Sequence, residues 1–154
     1  MRFPTVKASN LAGREFTLPS GLEGDLNIVA LAFQMWHQNE VDTWMPLLAQ
    51  VERRVPVVRA YELPVLRSMN RLNQWMIDSG MRGGIPDPAT RARTITLYLD
   101  KERFRQALGL PDENHIYVLL VDRSGEVHWQ TQGAYSPDKA ESLMAVIEQK
   151  LAVA

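Results

Sequence analysis

The chain contains no cysteine, which removes disulfides, thiolate metal sites and thiol nucleophiles together. It also lacks an excess of either charge. With 17 basic and 18 acidic side chains the net charge is −1, so no broad positive field is available to draw nucleic acid or an anionic membrane. Lysine is scarce, 4 residues against 13 arginines, but the arginines are scattered, and the pair Arg67 and Arg71 reads as one solvated helical face. No apolar run is long enough to span a bilayer. The N-terminal Met-Arg-Phe-Pro-Thr-Val-Lys has no apolar stretch behind its charges of the kind a secretory signal needs, which leaves the cytoplasm as the default expectation. Missing too are a glycine-rich phosphate loop, an HExxH pair, paired catalytic acids and a nucleophile with its base. A covalent or acid–base enzyme therefore has nothing specific in its favour.

What is present is enough apolar material for a substantial core. At 154 residues and 45% apolar content the chain reads as one domain, residues 1–154, without repeats or an interdomain linker. Leu11 to Gly24 has short apolar beats broken by glycine and proline, suggesting a small hairpin or an extended lead-in. Leu26 to Phe33 is nearly continuous in apolar residues, which suits a strand buried on both faces at the centre of a sheet. Asn39 can cap a following helix, with Glu40 and Asp42 at the positive end of its dipole. Val41, Trp44, Leu47, Leu48 and Val51 then recur at helical spacing, interrupted by Pro46, which should kink the axis.

Pro56 to Ala60 reads as a second strand. Pro64 suits the first turn of a helix presenting Val65, Leu66, Met69, Leu72 and Met76, ended by Gly80. Gly80 to Pro88 is the one long glycine and proline cluster and predicts a mobile loop. Thr94 to Leu99 is a third strand, Lys101 to Leu108 a short helix closed by Gly109. Ile116 to Val121 and Val127 to Gln132 flank Asp122, Ser124 and Gly125 as a hairpin. Ser136-Pro137-Asp138 opens a last helix with Leu143, Val146, Ile147 and Leu151 facing inward. Alternating strands and helices predict an α/β domain, a central mixed sheet with helices on both faces.

The sequel of strand, Asp-Arg-Ser-Gly, strand, glycine and final helix resembles the thioredoxin-like superfamily, across roughly Leu11 to Leu151. Gly80-Met-Arg82, Ile85-Pro86, Phe104 to Leu110, Tyr117 to Asp122, Gly125 and Trp129 resemble one subgroup, the mitochondrial ATP synthase assembly factor and its bacterial relatives. In redox members a Cys-x-x-Cys motif lies shortly before a helix-kinking proline. Aligned on Pro46, that motif falls on Gln38-Asn39-Glu40-Val41, where no residue can make a disulfide. The superfamily's cis-proline position falls on Ile116, after Asn114-His115, and a non-proline cis bond costs about 2.5–4 kcal/mol, so a trans bond is expected there.

The resemblance implies that the loop around Trp36, His37, Gln38, Asn39, Glu40 and Val41 meets the loop carrying His115 and Ile116 at one end of the sheet. The leading expectation is a non-catalytic domain without cofactor, binding a protein or peptide at this former active-site end in a chaperone or assembly role. The alternative is a metal or small molecule held by His37, Glu40 and His115, a donor set suited to zinc, copper or iron. Against that, loop histidines are common and the acids already serve the helix start. His128 should alternate with Val127 and Trp129 and face solvent or the sheet edge. Asp87, Asp100 and Asp122 read as turn and boundary residues. Trp44 has core spacing, and Trp75 reads as cover for a helix edge.

Overall fold

The computed structural model describes residues 1–153; Ala154, the last residue of the expected domain, lies outside them. Among the described residues seven strands form one sheet: β1 (Val6–Asn10), β2 (Glu15–Leu18), β3 (Leu26–Ala32), β4 (Val58–Arg67), β5 (Ile95–Leu99), β6 (Tyr117–Asp122) and β7 (Val127–Gln132). Their order across the sheet is β2-β1-β5-β4-β3-β6-β7. The β3/β4 and β4/β5 pairs are parallel, while β1/β2, β1/β5, β3/β6 and β6/β7 are antiparallel. The helices are α1 (Gln38–Arg54), α2 (Arg71–Gly84), α3 (Pro88–Arg93), α4 (Lys101–Ala107) and α5 (Pro137–Val153).

The apolar run of β3 does what its composition requires. It lies inside the sheet, and its side chains alternate between two cores: Val29 and Leu31 on one face, Leu26, Ile28 and Ala30 on the other. The first core also takes Phe104 and Leu108 at α4 and Phe16 and Leu18 of the N-terminal hairpin. The second is closed by Val41, Trp44, Leu48 and Val51 of α1 with Leu143 and Ile147 of α5. Helices therefore cover both faces, as a sheet apolar on both sides demands.

Several expectations are corrected. Pro64 does not open a helix, because β4 continues through it to Arg67. Leu63 and Val65 alternate into the core and β5 supplies the ladder, with Val65 opposite Leu97, so period-2 packing overrides the helical spacing. Pro64 stands opposite Ala32, the last residue of β3, where a missing donor costs little. The helix starts instead after Asn70, whose Oδ1 accepts from the Asn73 N–H at 2.9 Å. It runs past Gly80 to Gly84.

The expected long loop from Gly80 to Pro88 thus shrinks to a few residues before α3, where Asp87 caps and Pro88 takes the first turn. Arg91 ties the junction down, donating to the carbonyls of Ile85 and Arg82, each at 2.6 Å. Arg67 ends a strand rather than sharing a helical face with Arg71. The N-terminal hairpin pairs Val6–Asn10 with Glu15–Leu18, so it starts earlier than the glycine pattern implied. Leu151 is exposed, and Trp75 on α2 is 62% exposed rather than covering anything.

Candidate functional site

The candidate site is built where two antiparallel neighbours meet. β3 ends at Ala32 and β6 begins at Tyr117, with Leu31 opposite Tyr117, so the segments leaving one strand and entering the other are forced together. Between β3 and α1 the chain makes a 3-10 turn, Met35–His37. α1 therefore starts at Gln38, one residue before the expected cap Asn39, which lies exposed in the first helical turn.

The start of this helix is organised by His37. Its Nδ1 accepts from the Phe33 N–H at 2.9 Å and the Gln34 N–H at 3.3 Å. With Nδ1 used as acceptor, the ring is the neutral tautomer protonated at Nε2. His37 is not a surface-loop histidine: it is fully buried, edge-on to Phe33 and Trp36 at centroid distances of 6.5 and 4.4 Å. Among the described residues its Nε2 has no hydrogen-bond partner.

Burial pushes the His37 pKa below its ordinary value of 6.5, against the opposing pull of the Glu40 charge. The native state thus resists a proton that the unfolded chain accepts. This stability is present above pH 6.5 and is lost as pH falls through the lowered native value. Glu62, buried on β4, acts in the opposite direction: burial raises its pKa above 4.5, so its contribution is present below that value and lost as pH rises through the native one. The His37 part is isolated by difference. Between about pH 7.5 and 5.5, urea-unfolding stability of the wild type should fall more than that of His37→Gln. Parallel pH dependences would refute the assignment.

Glu40 is the second organiser. From the first turn of α1 its carboxylate reaches the opposite loop, where Oε1 accepts the Ile116 N–H at 3.1 Å and Oε2 meets His115 Nδ1 at 2.9 Å. A carboxylate at the positive end of the helix dipole is well placed for both. The peptide bond before Ile116 is trans, since the cis bond among the described residues is Leu18–Pro19.

The eight candidate residues divide by placement. Trp36, Gln38 and Asn39 are exposed and the His115 side chain is half exposed, while Val41 and Ile116 are core residues that no partner can touch. Gln38 Nε2 donates to Asp42 Oδ1 at 2.8 Å. Glu40 is joined to His115, but His37 is turned inward and has already committed Nδ1 to the backbone. Among the described residues, His37, Glu40 and His115 do not form a group whose donor atoms converge as metal ligands.

Two parts of the site were not found from sequence. Met35 is 97% exposed beside Trp36 at 51%. Glu113 clamps the same turn from the far loop: it accepts from Gln34 Nε2 at 2.8 Å and pairs with Lys101 at 2.9 Å and Arg105 at 3.4 Å. Burial pushes the Glu113 carboxyl up, but the Lys101 bond and charge, with Arg105, hold it below its ordinary range. Lys101 also donates to the Phe33 carbonyl at 3.0 Å. The Gln34–Glu113 and Phe33–Lys101 bonds span 79 and 68 residues, and no local pattern joins them.

The strand order, the two covered faces and the paired loops define a thioredoxin-like domain, here without cysteine. Solved structures share this fold. ScoI of Arabidopsis thaliana, solved with copper bound, superposes with a TM-score of 0.62 at 11% identity, covering 97% of this chain and 99% of that one. BsSco, a member of the Sco family of cytochrome c oxidase assembly proteins, gives 0.61 at 12%, covering 96% and 92%. The exposed lipoprotein thioredoxin Etrx1 of Streptococcus pneumoniae gives 0.60 at 11%, covering 94% and 99%. The family model of the ATP10 protein matches residues 1–149, and the chain belongs to this family of ATP synthase assembly factors. No curated protein matched the chain.

Proposed function

We propose that this protein is a non-catalytic assembly factor that binds a protein partner through the end of the sheet where redox relatives carry their cysteines. One observation carries the reading. Met35 and Trp36 stand 97% and 51% exposed on a single 3-10 turn, while the groups beneath that turn are fixed by His37, Glu40 and Glu113. On a locked backbone an exposed indole is a rigid interface anchor, and the thioether beside it adapts to the partner's surface. α2 begins at the same end of the sheet, since β3 and β4 run parallel. Thiol–disulfide exchange and thiol peroxidase chemistry are excluded, because the chain has no sulfur nucleophile of that type.

The family directs the search to ATP synthase subunits. A photo-crosslinking residue placed at position 36 in the native host should give a discrete adduct containing such a subunit. The same probe at Glu148, exposed on α5, should not. Met35→Ala should weaken the adduct at position 36 while leaving the protein's melting temperature unchanged, because its side chain is almost wholly in solvent. Equal labelling from positions 36 and 148, or no protein adduct at 36, would remove this end as the contact surface.

A further inference from the structure

We propose that Asp122, Glu126 and His128 form a site for a divalent cation of the zinc class, at the pole of the sheet opposite the former active-site end. β6 runs antiparallel to β3, and Asp122 pairs with Leu26 at the start of β3, whereas Tyr117 pairs with Leu31 near its end. The β6–β7 turn is therefore a full strand length from His37, Glu40 and His115.

The three residues converge because of an irregularity that sequence alternation hides. In the β6/β7 ladder Leu120 pairs with Trp129 and Val121 with Val127, leaving His128 as the extra residue of a β-bulge. A bulge re-aims the side chain it carries. On this edge strand His128 consequently turns to Asp122 rather than out to solvent. Its side chain is 11% exposed, and Nε2 lies 2.8 Å from Asp122 Oδ2. One donor atom from each of Asp122, Glu126 and His128 lies within 4.8 Å of the other two.

The Asp122 carboxylate is held in place before any ligand arrives. Its Oδ1 accepts from Ser124 Oγ at 2.6 Å and from the Glu126 N–H at 3.1 Å, which leaves Oδ2 directed at His128. Zinc-bound oxygen and nitrogen donors at 2.0–2.2 Å in a tetrahedron stand about 3.4 Å apart. Asp122 and His128 thus need to open slightly and the exposed Glu126 to swing inward, with water completing the shell. One imidazole and two carboxylates suit a borderline divalent cation.

The two arginines flanking the turn are engaged elsewhere. Arg2 Nη1 donates to the Ser124 carbonyl at 2.7 Å on the turn's backbone. Arg123 is directed away, to the Leu22 and Glu23 carbonyls and to Asp25 at 3.5 Å.

Zinc titration of the untagged full chain by calorimetry, repeated with cobalt(II) and its visible absorption, tests the proposal. The wild type should bind one equivalent with micromolar affinity. Glu126→Gln and His128→Gln should each weaken binding at least about tenfold, and His115→Ala should leave it unchanged. Glu126 is exposed, so its variant keeps the fold; matching circular dichroism melts will confirm this. No binding up to about 1 mM zinc, which is negligible affinity, would overturn the site. So would wild-type binding in both Glu126→Gln and His128→Gln, or a loss confined to His115→Ala, which would move the ion to the other pole.

Discussion

Replacing Trp44 by alanine is expected to lower the unfolding free energy by about 3–5 kcal/mol. The side chain is fully buried within the core between α1 and the sheet, edge-on to Trp129 and Tyr135 at centroid distances of 6.4 and 5.7 Å. Its Nε1–H donates to the Gly133 carbonyl at 3.0 Å, and the Gly133 N–H in turn donates to the Ile116 carbonyl at 2.9 Å. One indole therefore fills the core and fixes the turn after β7 beneath the candidate site. Trp44→Phe separates the two roles: it keeps most of the apolar volume and removes the donor, and should cost about 1–3 kcal/mol for the orphaned carbonyl. Urea unfolding gives both values. A loss below about 2 kcal/mol for Trp44→Ala would mean that the core closes over the cavity more readily than this packing implies.

The second large effect is expected at Glu40. Removing its carboxylate by Glu40→Ala leaves the Ile116 N–H without its acceptor and releases His115, so a loss of about 1.5–3 kcal/mol is expected, in the range of a hydrogen bond to a charged group. Glu40→Gln retains an amide oxygen able to accept from Ile116 and should lose less. The effect should also be local. Amide hydrogen exchange at Ile116 should accelerate in Glu40→Ala by more than the change in global stability explains, because the loop is freed while β6 stays paired. A cost under about 0.5 kcal/mol, the level of an ordinary exposed ion pair, would demote the latch to a surface contact.

Without cysteine, this end of the fold is filled by other side chains. Gln38 and Val41 occupy the positions where the resemblance puts the two cysteines, one in solvent and one in the core. Glu40, between them, spans to the opposite loop instead. The joint between the two loops is a carboxylate accepting from a trans backbone N–H and pairing with an imidazole. Such a joint positions side chains but offers no nucleophile, which agrees with a binding role for the exposed Met35 and Trp36.

The sequence by itself determined the elements whose signals are local. The apolar run from Leu26, the hairpin turn at Ser124-Gly125, the proline and acid opening α5 and the absence of cysteine each act within a few residues. They sufficed for the fold class, and the resemblance they carry implied the meeting of the His37 and His115 loops. What only the tertiary structure decided depends on partners distant along the chain. β4 extends through Pro64 because β5 offers it a ladder, against a helical spacing that reads well alone. His37 is buried and neutral because Phe33, Gln34 and Trp36 close around it. His128 turns to Asp122 because a bulge shifts its register. A side chain's direction, burial and charge state are fixed by the neighbours that desolvate and hydrogen-bond it, and those neighbours are assembled only when the sheet is.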